Sequence, residues 1–110
     1  MNALDLARKL NWEILQPDGA ETEIRGAYTS DLLSDVMAHA PADGLLITIQ
    51  ANINTVAVAT LVHLRALVVC HRRPAPDDFL AAARREGVAV FRTTENQYRT
   101  SVRVAYALND

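Results

Sequence analysis

From Leu45 onward the chain repeats one pattern: a short, wholly apolar run, then a helical segment, then another apolar run. The runs are Leu45–Ile49, Leu67–Cys70 and Val88–Phe91, spaced by about twenty residues, and the segments between them are too long for hairpin turns. A continuous apolar run of that length suits a strand covered on both faces. Strands joined by crossover helices of this length pair in parallel with right-handed connections. The pattern therefore predicts an α/β protein with a parallel core sheet. Two further strands precede it, Trp12–Leu15 and Glu23–Tyr28, whose pairing the spacing leaves open. The expectation is a mostly parallel, mixed sheet of about five strands in one domain spanning residues 1–110.

The predicted helices follow from caps and spacing. Asn2 caps a first helix with Leu4, Leu6, Ala7 and Leu10 on its apolar face. Gln16-Pro-Asp-Gly19 reads as a turn. Thr29 or Ser30 caps a second helix with Asp31 in its first turn and Leu32, Leu33, Val36, Met37 and Ala40 facing the core; Pro41–Gly44 ends it. Pro76 stands at the first position of a helix reaching Glu86, with Asp77 and Asp78 at its start, Arg84 and Arg85 at its end, and Gly87 as its exit. The last helix, Glu95–Leu108, carries Tyr98, Val102, Ala105 and Tyr106 on one face.

The helix Ile53–Val62 is apolar almost all round, and a helix of that kind must be covered on every side. Either it is central in its layer or a second subunit covers it. A dimer through Ile53, Val56, Ala57 and Thr60 is the expectation, and a charge at Ala57 would break it.

Candidate binding residues come from one rule. In open α/β sheets, ligands sit beyond the carboxyl ends of the parallel strands. That collects Gln50, Asn52 and Asn54 after the first core strand, His71, Arg72 and Arg73 after the second, and Arg92, Thr93 and Thr94 after the third. Amides, guanidinium groups and hydroxyls beside helix N-termini suit a phosphate- or carboxylate-bearing ligand. Asn54 and Thr94 also read as N-caps.

Other chemistry lacks its machinery. There is no GxxxxGK[ST] loop, no GxGxxG, no CxxC and no HxxxH among His39, His63 and His71, so no cofactor or metal is expected. Cys70 stands alone and beside His71, which rarely places a thiol and its base correctly; it reads as a small core residue. A net charge of −2 gives no reason to expect nucleic acid or a membrane surface as partner. The N-terminus lacks a secretory leader pattern, and the lone cysteine forms no disulfide framework, which points to the cytoplasm.

Several segments together, GAYTSDLLSDVMAHA, GLLITIQANINTVAVATL, ALVV, the Pro-Asp-Asp helix start and GVAVFRTTE, resemble the DRTGG domain family, in particular its stand-alone members. The resemblance covers about Ile24 to Thr94 and implies an α/β/α sandwich like the N-terminal domain of HPr kinase/phosphatase. It implies regulation and subunit association rather than catalysis, with redox, hydrogenase or signalling proteins as partners. At the family's Asp-Arg position this chain has Gln50-Ala51-Asn52, and Cys70-His71-Arg72 stands in place of Thr-Gly-Gly. Those exchanges change which backbone angles the second loop can adopt. The expected function is a non-catalytic, dimeric regulatory or scaffolding domain. A small-anion or nucleotide sensor is the alternative, and a Cys70–His71 enzyme the weaker third.

Overall fold

A computed structural model describes residues 1–109. The elements run α1 (Ala3–Lys9), β1 (Glu13–Gln16), β2 (Gly26–Thr29), α2 (Leu33–His39), β3 (Gly44–Thr48), α3 (Ile53–Leu61), β4 (Ala66–Val69), α4 (Asp77–Glu86), β5 (Ala89–Arg92) and α5 (Gln97–Asn109). The sheet order is β1-β5-β4-β3-β2. β2 to β5 pair in parallel, and β1 adds antiparallel to β5. The sheet is mixed, as the sequence suggests.

Alternation along the strands divides the core. Leu45, Ile47, Ala66, Val68, Ala89 and Phe91 face α1 and α5 and join Leu6, Trp12 and Val104. Leu46, Leu67, Val69 and Val90 face the other way and join Val36, Val56, Ala59, Phe79 and Ala83 of α2, α3 and α4. The result is a three-layer α/β/α sandwich. β3 and β4 are buried at every residue because both their faces are covered and both their edges are paired. Each such Leu, Ile or Val contributes about 1.5–3 kcal/mol of burial free energy.

Local signals explain most boundaries. Asn2 Oδ1 accepts from Asp5 N at 2.8 Å and starts α1. Gly87 ends α4 at φ 68°, a left-handed conformation that glycine takes without a Cβ clash. At Gly19 a Cβ would lie 2.1 Å from Gly87 O, so the β1–β2 connection can seat against the end of α4 only through a glycine.

Three expectations need correction. Asp31 lies outside α2, which begins at Leu33 without a side-chain cap. Of the α2 face, only Val36 is buried; Leu32 is 65% and Met37 49% exposed. Pro76 is the N-cap residue of α4, not its first helical residue. Tyr98, Val102, Ala105 and Tyr106 share one face of α5, as expected, and that face points to solvent while Thr100 and Val104 meet the sheet.

Candidate functional site

The carboxyl ends of β2, β3, β4 and β5 lie along one rim, and the connections leaving them decide where a crevice can open. Those from β2, β3 and β4 lead to α2, α3 and α4 on one face. The connection from β5 leads to α5 on the opposite face. The chain therefore diverges between β4 and β5, which is the switch point where α/β sheets place ligands. His71, Arg72, Arg73, Thr93 and Thr94 are at that point.

Backbone hydrogen bonds join the two loops there. His71 N donates to Glu95 O at 2.9 Å and Arg72 N to Thr93 O at 2.8 Å. Thr93 N donates to Val69 O at 2.9 Å, and Thr93 Oγ1 accepts from Glu95 N at 3.2 Å. Thr93 is thereby buried and consumed in shaping the loop, whereas Thr94 is exposed. His71 and Arg72 take φ of 59° and 53°. Two consecutive non-glycine residues in the left-handed region cost about 1–2 kcal/mol each. The loop thus keeps angles that glycine would favour while projecting side chains from them.

Charge at the rim is unevenly spent. Arg92 grips Glu13 with Nε at 3.0 Å and Nη2 at 3.1 Å, and donates to Arg73 O at 3.3 Å. Those hydrogen bonds hold the Glu13 carboxyl below its usual range. Arg103 reaches Glu95 at 2.6 Å. Among the described residues, neither Arg72 nor Arg73 forms an ion pair, and both are exposed.

The β3 end is built differently. Asn52, not Asn54, caps α3, accepting from Asn54 N at 2.9 Å and Thr55 N at 3.2 Å. For α5 the cap is Asn96, whose Oδ1 accepts from Arg99 N at 2.8 Å, rather than Thr94. Gln50 donates to Asp31 O at 2.9 Å and accepts from Asn52 Nδ2 at 3.2 Å, so its amide holds the loop closed. Asn54 is exposed in the first turn of α3. The rule-based set therefore divides: Gln50, Asn52 and Thr93 are structural, and His71, Arg72, Arg73, Asn54 and Thr94 present free surface.

Asp31 is the residue that sequence reasoning misplaces. Its Oδ1 accepts from Thr48 Oγ1 at 2.9 Å, Ile49 N at 2.8 Å and Gln97 Nε2 at 3.0 Å, and Oδ2 accepts from the same amide at 3.1 Å. One carboxylate therefore ties the β2–α2 turn to the end of β3 and the start of α5. Cys70 lies beneath α5, fully buried, with Sγ 3.6 Å from Thr100 Oγ1. Burial pushes its thiol pKa up, and Asp31 and Glu95 add to that push. His71 beside it is exposed, so the pair does not form a nucleophile with its base.

Of the expected α3 contact residues, Val56 is 2% exposed and packs inside its own chain. Ile53, Ala57 and Thr60 are exposed, with Leu61 beside them. α3 lies between α2 and α4, and this central place accounts for much of its apolar character.

This arrangement defines an open-edged α/β/α sandwich with a basic loop at its switch point. No protein family's sequence profile matches the chain, and no curated protein does. Among solved structures it is similar to the CBS and DRTGG domains of the regulatory region of a Clostridium perfringens pyrophosphatase, solved with the activator diadenosine tetraphosphate. The TM-score is 0.75 at 12% identity, covering 94% of this chain and 46% of that one. At that identity the likeness is one of fold.

Proposed function

We propose that this chain is a regulatory domain that binds a phosphate-bearing small molecule at the carboxyl ends of β4 and β5. One observation carries the reading: Arg72 and Arg73, without ion-pair partners among the described residues, stand on a strained loop where the connections diverge. Unpaired guanidinium groups at such a point suit bidentate capture of phosphate. Left-handed non-glycine residues persist where the surrounding structure and a function hold them. The fold likeness to a pyrophosphatase regulatory region solved with a dinucleotide activator supports the same direction. The reading assigns no catalytic residue, since Cys70 is buried with its thiol held neutral.

The test is a thermal-shift panel of adenine nucleotides, other phosphorylated metabolites and carboxylates. A ligand at a hundredfold its Kd adds about 2.7 kcal/mol of stability. In a domain this small each kcal/mol raises the midpoint by roughly 4–8 °C. The expected result is a shift that Arg72→Ala and Arg73→Ala remove and that Arg85→Ala, at the far end of α4, leaves intact. A flat panel refutes the reading.

A second reading is favoured by the outer surface of α2 and α3, where Leu32, Met37, Ile53 and Leu61 are all substantially exposed. Such a surface suits association with a regulated protein partner. The two readings are compatible, because a ligand at the rim can act through a partner held on that face.

A further inference from the structure

β1 is fastened to the sheet differently at its two ends. At one end Gln16 is buried, and its Nε2 donates to Val88 O at 2.9 Å and to Asp18 O at 3.1 Å. At the other end Glu13 stands in register with Arg92 of β5. There the fork of one guanidinium holds both carboxylate oxygens, Nε on Oε1 at 3.0 Å and Nη2 on Oε2 at 3.1 Å.

Arg92 has a second anchor that does not depend on this carboxylate. Its Nη1 donates to Arg73 O at 3.3 Å, and its side chain is 23% exposed against 54% for Glu13. The guanidinium is thus set in the rim by the loop that carries Arg72 and Arg73, and Glu13 is the more exposed partner. The Arg92 hydrogen bonds hold the Glu13 carboxyl below its usual range, and the charge on Arg72 adds to that pull. A carboxylate of the chain itself therefore lies in the field of two rim arginines, on donors that an incoming oxyanion would also use.

We propose that Glu13 is an internal competitor for the anion site: a phosphate group held by Arg72 and Arg73 takes the fork of Arg92 in exchange for the Glu13 carboxylate and loosens the start of β1. The exchange rests on the phosphate reading of the rim. To that reading it adds Arg92 as a third arginine and a route by which occupancy is felt elsewhere in the fold.

Solvent-exposed ion pairs add little to stability, so this one yields readily. A phosphate group brings more charge and more acceptor oxygens than a carboxylate. Once displaced, Glu13 faces an anion of its own sign. Its end of β1, an edge strand beside β5, loses its side-chain fastening, whereas the Gln16 end keeps its own. Linkage makes the effect reciprocal: an anion that weakens the Glu13–Arg92 pair is itself bound less tightly because of that pair.

The experiment is a heteronuclear NMR titration of the whole chain with sodium phosphate, balanced against sodium chloride at constant ionic strength. The Arg92 Nε–H signal and the amides of His71, Arg72 and Arg73 are expected to shift together with a single Kd. Glu13→Gln, at an exposed position, is expected to lower that Kd about fivefold or more, the lower end of usual coupling between sites. In the Arg92→Gln background the same substitution is expected to change nothing. With phosphate bound, amide exchange is expected to quicken at Glu13 and Ile14 relative to Gln16. Rim amides that shift while the Arg92 Nε–H signal stays in place overturn the exchange and leave the phosphate reading standing. So does a Glu13→Gln gain of equal size in the Arg92→Gln background, which would be long-range charge alone. The wild-type Arg92 signal decides by itself should Arg92→Gln fail to fold. No shift at the rim in any variant overturns both the exchange and the phosphate reading.

Discussion

His71 and Arg72 occupy backbone angles in which a Cβ is unwelcome, and their neighbours hold them there through Glu95 O and Thr93 O. A glycine at residue 71 would relieve about 1–2 kcal/mol of strain. It would also cost about 0.5–1 kcal/mol through the greater freedom of the unfolded chain. His71→Gly is therefore expected to leave stability unchanged or raise it by up to about 1.5 kcal/mol in a urea titration, by the same balance. A loss of stability would mean that the imidazole makes a contact worth more than the strain. Arg72→Gly has the same backbone effect but removes a proposed ligand contact, so stability and binding separate at this one residue.

Among the elements, Asp31 links three that are remote in sequence. Removing its carboxylate strips an acceptor from the fully buried Thr48 hydroxyl, from the Ile49 amide and from Gln97. Hydrogen bonds to charged groups are worth about 1.5–3 kcal/mol each, and buried donors left without partners add to the loss. Asp31→Ala is expected to destabilise by about 3 kcal/mol or more in chemical denaturation, on the same principle. A loss below about 1 kcal/mol would mean that water replaces the carboxylate at little cost. This linkage marks where local reading of the sequence stops. The three apolar runs and the Asp-Asp start and Gly87 exit of α4 are encoded within a few residues, and the strands and helices appear where those signals predict. The partners of Asp31 are not: Gln97 is 66 positions away, so the acid reads only as a helix-start residue. Which side of α5 packs inward is hidden from the sequence for a related reason. Thr100 can be buried because its hydroxyl bonds back to Asn96 O at 2.7 Å, so the polar-looking side of the helix packs on the sheet. Among the site residues, the rule for strand ends locates the rim, but only the caps and clamps in three dimensions separate Arg72 and Arg73 from Gln50, Asn52 and Thr93.

Across the molecule, strands remote in sequence meet. β1 pairs with β5, and Glu13 holds Arg92, 79 positions away. The Glu13 carboxyl has its pKa lowered from 4.5 by that bond, so it contributes stability above its unfolded value. That contribution disappears as pH falls through the folded value. Hydrogen exchange is accordingly expected to show α1 and β1 opening at lower free energy than β3 and β4, with the gap widening as the solution is acidified. Equal protection of β1 and β4 at neutral pH would contradict this, as would a gap that narrows in acid. β3 and β4 are paired on both sides and buried at every residue, which places them at the slow end of that scale.

The position of β1 also has a bearing on synthesis. Strands β2 to β5 are laid down in the order in which they emerge from a ribosome, each beside the one before it. β1 emerges first and has nothing to pair with until β5, the last strand, is out. The parallel strands can form around β3 and β4 meanwhile, with α1 already held by its hydrogen bonds to the Ala20–Ile24 segment, and β1 joins the sheet only when β5 supplies its partner.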